Sequence, residues 1–224
     1  MSTPSTSRPT RGRPPRLDQA RTIESALALL NDSGLDALTM RRLADAMGVQ
    51  AGALYRYFRT KDDLLTAMAE RMMAGVCAPA GGADWSERLS ALARTLRRAL
   101  LAHRDGARVF AGTHSTGPGT LGFAEDCVGI LRNAGFTDAD AARALMAVVH
   151  FTIGHTLEEQ AALRPGGGSP ADPDVLREAV SPDEYPHLTA ALPTLTDADY
   201  APHFEFGLAL LVTGLQSLRQ PHHR

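Results

Sequence analysis

Apolar residues return every three or four positions along most of this chain, and that period predicts helices. Ile23, Ala26, Leu27 and Leu30 share one face of a first helix, which Asp18 can cap and Ser33-Gly34 can end. Met40, Leu43, Ala44 and Met47 mark a short helix over 39–47 with Thr39 as its N-cap, and Gly48 supplies a tight turn. Leu54 and Phe58 set the inward face of the next helix, over 50–58, and leave Ala51, Gly52, Tyr55 and Arg56 outward. Thr60-x-x-Asp63 is a capping box that opens a connecting helix, 62–77, carrying Leu64, Leu65, Met68, Met72 and Val76.

Past a Pro/Gly break at 79–83, Trp85, Leu89, Leu92, Leu96 and Leu100 predict a long amphipathic helix over 84–103. Arg104-Asp105-Gly106 turns into a short helix at 108–111, a polar loop covers 112–119, and a helix over 120–134 stops at Gly135. The longest apolar helix spans 138–163, a flexible loop 164–174, two Pro-bounded pieces 174–180 and 183–192, and a last helix 197–219. β-branched residues are sparse and no alternating pattern survives. The expected fold class is all-α: a three-helix helix-turn-helix unit followed by a larger helical domain.

Charge gives the first unit a purpose. Residues 1–61 hold ten Arg/Lys against five Asp/Glu, while 62–224 hold thirteen against twenty. A net acidic chain with a basic N-terminal quarter carries the footprint of phosphate neutralisation there. The pair 39–47 and 50–58 reads as a helix-turn-helix whose second helix offers small residues, then Arg56 and two tyrosines, to a major groove. We therefore expect a disordered basic arm at 1–16, whose arginines can enter the minor groove, a DNA-binding domain at 17–62 and a second domain at 63–224. No run of eighteen apolar residues and no apolar leader occurs, so a cytoplasmic protein without membrane contact is expected. Cys77 and Cys127 fit no zinc spacing and read as reduced, buried thiols.

Chemistry in the second domain is sparser. His150, His155, Glu158 and Glu159 share one helix, and His155 with Glu159, one helical turn apart, could chelate a metal with His114 arriving from the loop, although a histidine on an apolar helix is more often a hydrogen-bonded core residue. Ser115, His114 and Glu158 supply hydrolase-type groups, but no nucleophile elbow, HExxH, P-loop or GxGxxG motif is present, so no enzyme is expected. A purely structural nucleic-acid binder would leave most of the chain unexplained.

LTMRRLADAMGV at 38–49 and ALYRYFRTKDDLL at 53–65, with the LYxxFxxKxxLL signature, resemble the DNA-binding domain of the TetR family of bacterial transcriptional repressors. ALLAHRDGARV at 99–109 and VVHFTIGHTLEEQ at 148–160 extend the resemblance to the ligand-binding core of the tetracycline repressor subgroup. It implies a homodimer on a palindromic operator, with the 62–77 helix as a lever between ligand and DNA. Carried over by position, Arg41, Ala51, Gly52 and Arg56 face bases, and Thr39, Tyr55, Tyr57 and Lys61 face phosphates. The ligand positions are Cys77, Leu92, Leu96, Phe110, Thr113, His114, Cys127, Leu131, His150 and Glu158. In that subgroup a histidine binds the drug's magnesium, and Phe110 stands at the matching position. The resemblance, so altered, implies a largely apolar effector, with no metal and no cofactor. The alternative is a tetracycline-type sensor with a metal site rebuilt from His114, His155 and Glu158.

Overall fold

The computed structural model describes residues 18–78, 84–163 and 173–219, which form eleven helices and no strand. They are α1 (Gln19–Ser33), α2 (Met40–Met47), α3 (Ala51–Leu54), α4 (Lys61–Met72), α5 (Trp85–Leu101), α6 (Gly106–Ala111), α7 (Pro118–Asn133), α8 (Asp138–Ala162), α9 (Pro173–Ala179), α10 (Pro186–Leu195) and α11 (Tyr200–Leu218). The expected arm at 1–16, the break at 79–83 and most of the loop at 164–174 lie outside the described residues.

Side-chain caps account for several helix starts. Arg21 N donates to Asp18 Oδ1 at 2.7 Å, and Arg42 N donates to Thr39 Oγ1 at 3.2 Å. Thr60 and Asp63 close their capping box through bonds of 3.0 and 3.1 Å. Gly48 takes the left-handed conformation (φ 66°, ψ 33°) that a side chain would disfavour, and so turns α2 sharply into α3.

Two helices are shorter than their periodicity predicts. The expected 50–58 helix is one turn, Ala51–Leu54, continued by a turn in which Tyr57 N and Phe58 N share the Leu54 carbonyl at 2.9 and 3.0 Å. That shared acceptor marks a tightening last turn and still delivers Phe58 to the interior. The expected 62–77 helix ends at Met72, because Gly75 adopts φ 83° soon after. Met73 and Val76 are buried all the same.

Apolar faces converge on two cores. One gathers Leu27, Leu30, Leu43, Leu54, Phe58 and Met68 from α1 to α4, and the other gathers Leu92, Leu96, Cys127, Leu131, Val148 and Phe204 around α8. Helix α6 joins them. Its Val109 belongs to the first core, and Phe110 packs against both. Polar ties reinforce the join: Leu35 N donates to Asp105 Oδ2 at 2.9 Å, and Arg108 grips Asp36 through two bonds of 2.9 and 3.2 Å. Gln160 on α8 holds the α5–α6 corner, accepting from Ala107 N at 3.0 Å and donating to the Leu100 and His103 carbonyls at 3.2 and 2.8 Å. An ion pair of low exposure, Arg97 to Glu159 at 2.7 and 2.9 Å, links α5 to α8 beneath Phe204.

Candidate functional site

The basic unit offers one face with few internal obligations. Arg42 is engaged, donating to Ala37 O and Ser33 Oγ, whereas the guanidinium groups of Arg41 and Arg56 make no hydrogen bond or ion pair to other described residues. Arg41, Gly52, Tyr55, Arg56 and Tyr57 are exposed; Ala51 is half-buried in the first turn of α3. Thr39 caps α2 while remaining at the surface, and Lys61 is the first residue of α4, beside that helix's unpaired amides. Large aromatic surface in water is unusual, and Tyr55 is 49% exposed beside Arg56. The arrangement presents donors and rings with much of their surface open to a partner.

The second feature is a cavity of about 560 Å³ between α6, α7 and α8. Its walls are mainly apolar, with Phe110, Phe123, Leu145, Val149, Ile153 and Leu157 among them, and its polar groups come from Thr113, His114, Ser115, Thr120 and His150. Concave, apolar and sparsely polar, it has the size and lining of a small-molecule site. Four of the ten expected ligand residues, Phe110, Thr113, His114 and His150, line it together. Leu92, Leu96, Cys127 and Leu131 are fully buried in the core and do not line it. Cys77 and Glu158 are exposed and also stand off the lining.

Most of the apolar wall was not singled out in the sequence. Helix α8 is apolar on several sides, so periodicity identifies its interior without saying which interior side faces empty space. Phe123 and Val149 carried no signal to separate them from packing residues.

The expected pair of buried thiols is half correct. Cys77 is exposed; Cys127 is buried, and that burial pushes its thiol up to about 12. His155 sits among aromatic rings, 5.2 Å from Phe204 and 5.9 Å from both Phe151 and Tyr200. Desolvation holds it below the ordinary histidine value despite Glu159 beside it. Among the described residues no three His, Cys, Asp or Glu side chains gather as a metal site. The cavity's nitrogen donors are His114 and His150, and Phe110 offers none, so the lining does not fit a resident divalent ion. Ser115 donates to Glu70 Oε2 at 2.8 Å, an acceptor from α4. No helix among the described residues is long and apolar enough to cross a membrane.

Known proteins match both halves. The profile described as bacterial regulatory proteins, tetR family, covers residues 23–68, and that of the tetracyclin repressor-like C-terminal domain covers 78–219. The chain is 41% identical over 209 residues to the class A tetracycline repressor protein from transposon 1721 of Escherichia coli, covering 91% of this chain and 93% of that protein. A crystal structure of a possible TetR family transcriptional regulator from Streptomyces coelicolor A3(2) is similar at 68% identity and a TM-score of 0.86, over 90% of this chain and all of that one. A single-substitution variant of TetR from Acinetobacter baumannii AYE, solved in complex with minocycline, is similar at 35% identity and a TM-score of 0.70, over 92% of this chain and all of that one. With matches over both cores and most of its length, this chain belongs to the tetR family of bacterial regulatory proteins, within the group that has a tetracycline-repressor-like C-terminal domain.

Proposed function

We propose that this chain is a one-component repressor in the bacterial cytoplasm that binds a palindromic operator as a homodimer and is released when a largely apolar molecule fills the α6–α7–α8 cavity. A ligand-responsive, DNA-binding repressor is what the family is; the effector class is the part particular to this chain. The observation that carries it is Phe110, which lines the cavity while packing against both cores. A molecule pressing on that ring acts on the reading unit as well.

In this reading Arg41, Ala51, Gly52 and Arg56 meet base edges, and Thr39, Tyr55, Tyr57 and Lys61 meet phosphates. Binding energy comes from burial against Phe110, Phe123, Val149 and Ile153, at about 25 cal/mol per Å² of apolar area, with Thr113, His114 and His150 orienting one polar end. A polyhydroxylated metal chelate would lose its water against such walls without recovering donors. In this reading the chain acts as a regulator, and the serine at the cavity, Ser115, donates a hydrogen bond to Glu70 that ties two helices together.

The test starts from an operator selected by the protein from random duplexes. Anilinonaphthalene sulfonate, an apolar probe with one anionic end, should displace the operator equally with and without EDTA. Phe110→Ala should weaken that response about tenfold, equivalent to about 1.4 kcal/mol. Displacement by minocycline with magnesium alone, abolished by EDTA and indifferent to Phe110→Ala, would instead assign a tetracycline-type sensor.

A further inference from the structure

Glu70 lies on α4, the helix that follows the reading pair, yet its carboxylate is committed to the other unit. Ser115 Oγ and Thr120 Oγ1 each donate to Glu70 Oε2 at 2.8 Å, Thr120 N donates to it at 3.3 Å, and Gly119 N donates to Oε1. These donors form the entry and first turn of α7, where unpaired amides and the helix dipole favour an anion. The chain is shaped around the group. A Cβ at Gly119 would stand 2.8 Å from Glu70 Oε1, and one at Gly117 would collide with the carboxyl carbon. Burial raises the pKa of this acid, but the bonds from Thr120, Ser115 and Gly119 outweigh it and hold Glu70 below the ordinary glutamate value.

Both residues, Ser115 and Thr120, also line the cavity. A hydroxyl has one proton to give, and in this structure Ser115 and Thr120 give theirs to Glu70. From this shared use we infer that Glu70 is the positioning residue that registers cavity occupancy: an effector whose polar end is a hydrogen-bond acceptor draws the Ser115 and Thr120 hydrogen bonds to itself, leaves Glu70 with the Gly119 and Thr120 amides alone, and so loosens α4 from α7. The inference rests on the reading of the cavity as the effector site, and it adds a chemical requirement to it. The effector must be apolar with an acceptor end, such as a carbonyl, carboxylate or sulfonate. An apolar molecule without one binds but leaves the clasp closed.

The experiment uses the full-length protein, its selected operator and two probes, anilinonaphthalene sulfonate and the acceptor-free hydrocarbon phenylnaphthalene. In the wild type the sulfonate should weaken operator binding about fivefold or more, the usual scale of coupling between sites, while phenylnaphthalene should bind with less than a twofold effect. Glu70→Ala should bind the sulfonate within about threefold of wild type yet show less than a twofold response at the operator, and Glu70→Gln, which keeps one acceptor oxygen, should fall between. The pair Ser115→Ala and Thr120→Val should change operator affinity without probe in the same direction as Glu70→Ala and by no larger a factor, and combining all three should add nothing to Glu70→Ala. A full sulfonate response in Glu70→Ala, or additive effects in the combined variant, overturns the clasp while leaving the effector cavity standing. A wild type whose operator binding ignores both probes overturns the effector reading and the clasp with it. If Glu70→Ala does not fold, the Ser115 and Thr120 pair carries the test alone, and an undiminished sulfonate response in it refutes the clasp.

Discussion

At the scale of single residues, the donors Arg56 and Lys61 of the reading unit divide by what they can discriminate. Arg56 follows small residues on the α3 segment, and a good bidentate base contact is worth about 1–3 kcal/mol of discrimination. Arg56→Ala should therefore lose operator affinity while keeping affinity for random DNA, as read by competition binding; equal losses on both would make Arg56 a backbone contact. Lys61, at the start of α4, is a point charge beside free amides. Lys61→Ala should weaken both duplexes alike and flatten the log-log salt dependence by about 0.9 for the phosphate lost. Leu96 makes the complementary case in the second unit. Its position by resemblance is against ligand, but it is wholly buried in the second core and does not line the cavity. Leu96→Ala should cost about 2–5 kcal/mol in denaturant unfolding and leave probe affinity within about twofold. A tenfold loss of probe binding at unchanged stability would place Leu96 in the site. Leu92, Leu96 and Cys127 were placed at the ligand by position in the related repressors, and periodicity could not correct that, because it says which residues point inward without saying which inward neighbour is space.

Helix starts were the most legible feature of the chain, because capping is local chemistry. Asp18, Thr39 and Thr60 each accept from the amide three residues on, as their positions before an apolar period imply. Helix ends were less legible. The reading segment shrinks to one α-turn, since its hold on the core comes from Leu54 and Phe58 rather than from its own hydrogen-bond ladder. Such a segment depends on its neighbours, α2 before it and α4 after it. Thr60→Ala removes the Oγ1 half of the capping box, leaving the bond from the residue-60 amide to Asp63, and should lower stability by about 1 kcal/mol in thermal unfolding. Operator affinity should fall further than that loss alone implies, because Lys61 is aimed by the same turn. Unchanged affinity in a folded Thr60→Ala protein would show that α4 needs no cap to present its lysine.

For the molecule as a whole, the second unit carries uncovered apolar surface that its own packing does not use. Phe206, Leu210 and Leu218 on α11 are 68%, 60% and 69% exposed, beside a groove between α8 and α11 lined by Phe136, Val148 and Leu215. Exposed apolar surface of this kind calls for a partner, and pairing two copies of the α8–α11 face about a two-fold axis would make a four-helix bundle. Leu210→Glu with Phe206→Glu should sediment as a folded monomer at micromolar concentration and bind a palindromic operator at least tenfold more weakly. A dimer that survives both charges would move the interface elsewhere. The join at α6 has a separate bearing on how such regulators can be rebuilt. Because Val109 completes the first core and Arg108 and Asp105 hold the α1–α2 corner, the reading unit is finished by a stretch some forty residues past the end of its own helices. Exchanging operator preference between two relatives by grafting residues 18–72 alone would therefore leave a foreign plug in the new core. A hybrid that also transplants 104–110 keeps the fit, and recombination between such genes would be tolerated only where both segments travel together.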